Sequence, residues 1–164
     1  GLDIASDGRI FFSNTSHRSA YSIDYGRKII LETKPLGGLY LYDPSLKKVE
    51  TLIDGTCFGN GVVLSKDESY VLMVETTKYR VIRYWLKGDK AGQTDTFIDN
   101  LPGFPNGISL GEDGSYWLGF STKRTIMPEA GAVKEYKGYL YLGGDVVSHI
   151  GKYQLPKVNY SAKK

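Results

Sequence analysis

The sequence predicts an all-β protein, and a repeat within it favours a partial β-propeller. Among 164 residues there are 13 Tyr, 6 Phe and 2 Trp together with 20 Gly, a composition typical of short strands joined by tight turns. One phrase also occurs three times, in residues 2–13, 61–74 and 107–120, at a spacing of roughly 50 residues. This spacing lies in the range of propeller blades, whereas the competing fold, a β-sandwich, would not explain a repeated phrase.

Composition and charge narrow the class of protein further. Hydrophobic residues make up 41% and charged residues 24%, with a net charge of +3, as in an ordinary soluble domain. Basic residues alternate with acidic ones, so we expect no nucleic-acid partner. No apolar run approaches the ~20 residues that span a bilayer, and no basic-then-apolar signal sequence is visible. These observations predict a soluble protein without a transmembrane segment and slightly favour a cytoplasmic location.

Cys57 is the only cysteine of the chain. An intrachain disulfide is therefore excluded, which argues against a small disulfide-stapled secreted domain. No histidine lies near it in the sequence, so we expect Cys57 to be a buried structural thiol.

Each copy of the repeat consists of an apolar run, a charged turn and a second apolar run rich in aromatic residues. The turns lie at residues 6–9, 66–69 and 111–114, and two of them contain Asp-Gly, a strong hairpin signal. Each copy is therefore expected to form the inner strand pair of one blade.

Two further strand-like runs follow each of the first two copies. These outer strands are expected at residues 38–42, 49–53, 80–85 and 94–98. Two complete four-stranded blades are therefore predicted, at residues 1–55 and 56–100. Residues 14–36 form a long connection with a predicted helical turn around residues 25–32.

The third copy lacks an obvious outer pair, so residues 101–124 are predicted to form a partial blade. Closing strands are expected within residues 131–155, at 132–136, 139–142 and 149–153, and a tail at residues 156–164. The whole chain is predicted to be a single module.

Several phrases resemble the strictosidine-synthase-like family. They are FGNGV at 58–62, VETT at 74–77, RYWLKG at 83–88 and DNLPG at 99–103. This family includes plant strictosidine synthases and the adipocyte plasma-membrane-associated protein, and it is distantly related to gluconolactonases and paraoxonases. Its members are six-bladed propellers of about twice this length, so the resemblance implies three to four blades here. Open blade edges suggest completion by a second copy, as a homodimer with C2 symmetry.

The resemblance implies calcium as a cofactor. Asn60 and Asn106 match positions that carry calcium ligands in the gluconolactonase and paraoxonase relatives, where the second is usually Asp. Both residues are therefore candidate metal and ligand-binding residues, although two neutral amides make a weak set for calcium. The alternative interpretation is that each Asn-Gly pair forms a turn that the Asn side chain caps.

Catalytic candidates are few. The proton-transferring glutamate of strictosidine synthases would fall opposite Gly131, so the resemblance does not imply alkaloid synthesis. Glu75 ends an inner strand and is a candidate for ligand binding or catalysis, the alternative being an ion pair with Lys78 or Arg80. His149 is a second catalytic candidate, with a surface or core position as its alternative.

The leading interpretation is a small-molecule-binding propeller, with weak metal-assisted hydrolysis of esters or lactones if it is an enzyme. The alternative is a non-catalytic interaction module that dimerises through open propeller edges. Fold alone does not decide between them.

Overall fold

The predicted all-β architecture is confirmed in the structure, a computed structural model. It describes residues 1–18, 29–123, 132–136, 139–143 and 151–154. These residues form thirteen β-strands in four antiparallel sheets. The described helical segments are residues 29–32, within the predicted helical turn, and a short 3-10 helix at Thr76–Lys78.

The first two sheets have four strands each. The first contains β1 (Leu2–Ile4), β2 (Ile10–Asn14), β3 (Gly37–Asp43) and β4 (Lys48–Thr56). The second contains β5 (Gly59–Leu64), β6 (Tyr70–Glu75), β7 (Arg80–Trp85) and β8 (Thr94–Ile98). Spatial order follows chain order in both sheets, and every neighbouring pair is antiparallel. Each sheet is therefore a simple meander, the form of a propeller blade.

The third copy of the repeat forms a sheet of two strands. These are β9 (Gly103–Leu110) and β10 (Tyr116–Lys123). A separate three-stranded sheet follows, with β11 (Ala132–Tyr136), β12 (Tyr139–Gly143) and β13 (Gly151–Gln154). Among the described residues the third copy thus forms a sheet of two strands, and its prediction as a partial blade stays a prediction.

The second sheet is buried on both faces because successive side chains of a strand point to opposite sides. One face packs on the first sheet through Val62, Leu64, Val71, Met73 and Ile82. The other face packs on β9 and β10 through Val63, Leu72, Val74 and Val81. The apolar runs of β5 and β6 therefore fill two cores at once.

The three repeat turns share one hydrogen bond. In each, an aspartate Oδ1 accepts the backbone N–H two residues later: Asp7 from Arg9 at 3.1 Å, Asp67 from Ser69 at 3.1 Å, and Asp113 from Ser115 at 3.0 Å. The residue after the aspartate has a positive φ, 87° at Gly8 and 86° at Gly114, but 53° at Glu68 in the second turn. Glycine adopts this conformation without steric cost, so Glu68 is the unusual member of the set.

Candidate functional site

Neighbouring inner strands approach each other closely at two glycines, Gly1 beside β5 and Gly61 beside β9. Gly1, Gly61 and Gly107 occupy the same position in the three copies of the repeat. A Cβ on Gly1 would lie 2.7 Å from the carbonyl oxygen of Asn60, and one on Gly61 would lie 2.8 Å from that of Asn106. Such distances leave no room for a side chain, so glycine is what permits these contacts. The contacts place Asn60 and Asn106 on adjacent strands.

Both asparagines lie in equivalent irregularities of their strands. The pairing register shifts by one residue between positions 59 and 62 of β5 and between positions 105 and 108 of β9. The strands begin before Asn60 and Asn106 and continue past them, so the interpretation of each Asn-Gly pair as a turn is wrong. Such β-bulges occur frequently beside functional sites, where they redirect a side chain.

Asn60 is anchored at one end of its amide. Its Nδ2 donates to the Oγ1 of Thr76 at 3.4 Å, and that hydroxyl donates to the carbonyl oxygen of Pro105 at 2.7 Å. Thr76 is only 2% exposed, which fixes this chain of hydrogen bonds. Within the described part of the chain, Asn60 Oδ1 accepts no hydrogen bond, and the exposed Asn106 side chain makes none. Asn60 is thus left with a free acceptor, its Oδ1, and Asn106 with a whole side-chain amide for a ligand.

Hydroxyl groups hold the backbone beside these asparagines. Thr15 Oγ1 donates to the carbonyl oxygen of Gly59 at 3.1 Å, and Ser13 Oγ donates to that of Asn60. Thr76 makes the corresponding bond from the second sheet to β9. The sequence analysis missed these residues, although all of them lie at or just after the end of the second strand of a copy.

Glu75 lies in the interior rather than on an accessible surface. The Glu75 side chain is only 2% exposed. Its Oε1 accepts a hydrogen bond from the backbone N–H of Cys57 at 2.7 Å, and its Oε2 accepts one from Nε of Arg80 at 2.5 Å. This placement matches the alternative considered above, an ion pair with Arg80. The carboxylate fixes the segment that enters β5, and a role in ligand binding or catalysis stays a prediction.

Cys57 is buried, as expected. Burial, and then the nearby negative charge of Glu75, raise the pKa of the Cys57 thiol. Its Sγ lies 3.3 Å from the backbone oxygen of Thr33, to which the thiol donates. A protonated, engaged thiol is a poor nucleophile, which fits a structural role.

The described residues do not by themselves fit a calcium ion. Calcium takes about 6–8 oxygen ligands, usually with several carboxylates. No group of three His, Cys, Asp or Glu side chains suited to a metal occurs among the residues that the structure describes. The Glu75 carboxylate is engaged as above, and Asp3 accepts the backbone N–H groups of Ile4 and Leu64, both at 2.8 Å. Of these candidate ligands, the side-chain amides of Asn60 and Asn106 are left to contact an ion.

A cavity of about 330 Å³ lies against β9 and β10. Its lining residues are Gly107, Ile108, Ser109, Trp117, Leu118 and Gly119. Gly107 directly follows Asn106, so the cavity begins beside one of the candidate residues. Two other positions from the sequence analysis, Gly131 and His149, lie outside the described residues.

Comparison with known families finds that the model of strictosidine synthase matches residues 1–89. The chain is 41% identical over 128 residues to the protein strictosidine synthase-like 13 of Arabidopsis thaliana, covering 78% of this chain and 31% of that protein. It is 40% identical over 124 residues to the adipocyte plasma membrane-associated protein of Salmo salar, covering 75% of this chain and 29% of that protein. The match thus spans about a third of the length of these relatives.

Solved structures with the same fold include two bacterial proteins. A gluconolactonase from Xanthomonas campestris aligns with a TM-score of 0.57 at 17% identity, over 94% of this chain and 56% of its own. Regucalcin from Agrobacterium tumefaciens, described as a calcium-binding protein, aligns with a TM-score of 0.55 at 19% identity, over 95% and 45%. These alignments confirm the predicted fold, a partial β-propeller.

Proposed function

Because this chain belongs to the strictosidine synthase family, we propose that it binds a small uncharged polar molecule where its inner strands converge. The observation that carries this proposal is the pair of equivalent bulges at Asn60 and Asn106. One asparagine offers a carbonyl oxygen, and the other offers both an oxygen and two N–H donors. A compound with a carbonyl and a hydroxyl or ether oxygen, such as an ester or lactone, could bond to both.

Hydrolysis of such a ligand is a weak secondary activity in this proposal. Ester and lactone hydrolysis needs a base to activate water and donors for the developing oxyanion. The Asn106 amide can donate to an oxyanion, but neither asparagine can act as the base. Glu75, the carboxylate that the sequence offered as a catalytic candidate, already accepts hydrogen bonds from Cys57 and Arg80. Binding is therefore the primary function.

The proposed binding does not depend on calcium. One structural neighbour is described as a calcium-binding protein, and calcium was the cofactor expected from the family resemblance. The described residues supply amide oxygens but no free carboxylate at this place, so the organic ligand is proposed to contact Asn60 and Asn106 directly.

Binding can be tested by two-dimensional NMR titration with δ-valerolactone and with phenyl acetate. We expect the amide signals of Gly61 and Gly107 to shift, and the dissociation constant to rise about fivefold in Asn60→Ala and in Asn106→Ala. Gln93→Ala, which removes an exposed side-chain amide between β7 and β8, is the control. Titrations that leave the signals of both glycines unchanged, or that are identical in all three variants, would contradict the proposal.

A second candidate function, an assembly module, is favoured by one exposed apolar surface. Leu2, Ile4 and Val49 are 62%, 57% and 53% exposed. Large apolar patches on a protein surface commonly mark an interaction site. Light scattering at high concentration tests this function, and a monomer throughout would contradict it.

A further inference from the structure

The hydroxyl group of Thr76 lies between the two bulges of the candidate site. Thr76 begins the 3-10 helix that follows β6, and it is only 2% exposed. Its backbone is held on both sides, because its N–H donates to the carbonyl oxygen of Phe58 at 3.1 Å and its own carbonyl oxygen accepts the N–H of Tyr79 at 3.2 Å. A β-branched side chain has few rotamers, so a fixed backbone also fixes the position of the hydroxyl.

This hydroxyl has a single proton, and the proton is donated to Pro105. The distance from Thr76 Oγ1 to the Pro105 carbonyl oxygen is 2.7 Å, and a carbonyl oxygen can only accept. Towards Asn60 the hydroxyl therefore presents lone pairs alone. The Asn60 amide must meet them with its NH2 group, since two acceptors would repel each other, and its Nδ2 lies 3.4 Å from Thr76 Oγ1. The direction of the Thr76 proton thus decides which end of the Asn60 amide faces away from Thr76.

Thr76 acts on the second bulge through the same hydrogen bond. Pro105 directly precedes Asn106, so the carbonyl group that Thr76 holds belongs to the peptide that joins these two residues. One buried hydroxyl thereby contacts the side chain of Asn60 in β5 and the backbone of β9. The orientation of the Asn60 amide and the position of the Asn106 backbone consequently depend on the same proton.

We propose that Thr76 is a positioning residue that makes the proposed binding site selective for a ligand group that donates a proton. This inference rests on the binding function proposed above and narrows its ligand. With Nδ2 held against Thr76, Asn60 offers the ligand its Oδ1, which accepts a proton from a hydroxyl but cannot bond to an ether oxygen. The Asn106 amide, which carries donors, is left for the carbonyl group of the ligand. A ligand with a hydroxyl group therefore makes both bonds, whereas its methyl ether makes one.

The first test needs no ligand. In NMR spectra of the parent chain, nuclear Overhauser effects should join the NH2 protons of Asn60 to the side chain of Thr76. Thr76→Val keeps the shape of the side chain but removes the hydroxyl, and we expect it to shift the Asn60 NH2 signals. Thr76→Ser keeps the hydroxyl and should leave those signals close to their positions in the parent chain. Circular dichroism checks that each variant folds.

The adjacent residue provides a matched control, Thr77→Val. Thr77 is 8% exposed, and its Oγ1 donates to the carbonyl oxygen of Cys57 at 3.0 Å. This substitution therefore removes a buried threonine hydroxyl and a bond to a backbone carbonyl, as Thr76→Val does, but the lost bond involves neither asparagine. We expect the Asn60 NH2 signals to stay where they are in the parent chain.

Selectivity is measured with α-hydroxy-γ-butyrolactone and its methyl ether, α-methoxy-γ-butyrolactone. In the parent chain we expect the dissociation constant of the methyl ether to be about fivefold higher, the effect of one hydrogen bond. Thr76→Ser and Thr77→Val should keep this ratio. In Thr76→Val the Asn60 amide can turn and donate to the ether oxygen, so the two dissociation constants should become similar.

The outcomes separate this inference from the proposed function. If the Asn60 NH2 protons show no contact with Thr76, or if Thr77→Val shifts their signals as much as Thr76→Val does, Thr76 does not orient Asn60 and the inference is overturned. A preference for the hydroxy lactone that persists in Thr76→Val reflects the size of the ligand and also overturns it. If neither lactone binds the parent chain, the proposed function is overturned together with the selectivity, while the Asn60 signals still decide whether Thr76 orients that amide. Should Thr76→Val fail to fold, the contacts in the parent chain are the deciding measurement.

Discussion

Glu68 and Ser6 join the turns of the first two sheets across 62 positions of sequence. The backbone N–H of Ser6 donates to Oε1 of Glu68 at 2.7 Å, and the Ser6 hydroxyl donates to Oε2 at 3.0 Å. Glu68 also has the positive φ of 53° that glycine takes in the other two turns. The side-chain contact thus offsets the conformational cost of a non-glycine residue at this position.

Replacing Glu68 should separate these two effects. Glu68→Ala removes both hydrogen bonds and keeps the unfavourable φ, and we expect it to lower the free energy of unfolding by about 1–2 kcal/mol. Glu68→Gly loses the same bonds but relieves about 1 kcal/mol of backbone strain, so its effect should be smaller. Urea unfolding measures both, and a double-mutant cycle with Ser6→Ala isolates the contact. If the free energy of unfolding of Glu68→Gly is equal to or lower than that of Glu68→Ala, this explanation is contradicted.

Breaking the buried ion pair of Glu75 should lower the free energy of unfolding more than the Glu68 substitutions do. Glu75→Gln keeps an acceptor for the Cys57 N–H but removes the charge opposite Arg80. Breaking a buried pair costs about 3–5 kcal/mol, and because Arg80 is partly exposed and can be rehydrated we expect about 2–3 kcal/mol. Urea unfolding again gives the value, with Asp7→Asn at an exposed ion pair as the control, which we expect to change the free energy of unfolding much less than Glu75→Gln does. Equal effects of the two substitutions would show that the Glu75 pair adds little.

Because β5 and β9 lie so close together, we expect a substitution by alanine to be destabilising at Gly61 but tolerated at the equivalent Gly107. In Gly61→Ala the new Cβ would lie 2.6 Å from the backbone nitrogen of Ile108, so the strands must separate. We expect about 2–4 kcal/mol of destabilisation, whereas Gly107→Ala should leave the stability of the monomer nearly unchanged. Thermal unfolding at low protein concentration, where association does not contribute, measures both. Similar melting temperatures for the two variants would contradict the described strand contact.

Most of the sheet architecture could be predicted from the sequence because the repeat carries local signals. The turn aspartates Asp7, Asp67 and Asp113 all accept the same hydrogen bond from the backbone. The strands between these turns either alternate apolar and polar residues or consist of apolar residues throughout. Strand starts were less accurate: β5 and β9 begin at Gly59 and Gly103, earlier than predicted. Their first residues are held by contacts with other sheets, which periodicity within one strand does not show.

The candidate site was only partly predictable. The repeat identified Asn60 and Asn106 as equivalent, but the contact between their strands depends on the space left by Gly61. Asn-Gly is a turn signal in local sequence, and here tertiary packing overrides it with a bulge. The bond from Thr76 to Pro105 joins residues 29 positions apart, and no local pattern indicates it.

The engaged carboxylates predict little response to calcium. At 1 mM calcium against a chelator, we expect no rise in melting temperature, since the two amides that the described residues offer are too few ligands for a tight site. A ligand at a hundredfold excess over its dissociation constant stabilises a fold by about 2.7 kcal/mol, so a tight site would shift the melting temperature by several degrees. Such a shift, lost in Asn60→Ala, would contradict the prediction and place an ion at the inner strands.

Acid should weaken the second turn through Asp67. Hydrogen bonds from the Ser69 and Ser65 hydroxyls, and then from the Ser69 backbone N–H, lower the pKa of Asp67 to about 2. Because this lies below the value near 4 of an unfolded chain, the carboxylate stabilises the fold above about pH 4, and this stabilisation is lost as the pH falls through about 2. The melting temperature of Asp67→Asn should therefore fall below that of the parent chain at pH 6, and the difference should shrink towards pH 2. Asp89→Asn, in the exposed turn between β7 and β8, is the control; a constant difference for Asp67→Asn across the pH range would mean that its charge does not support the turn.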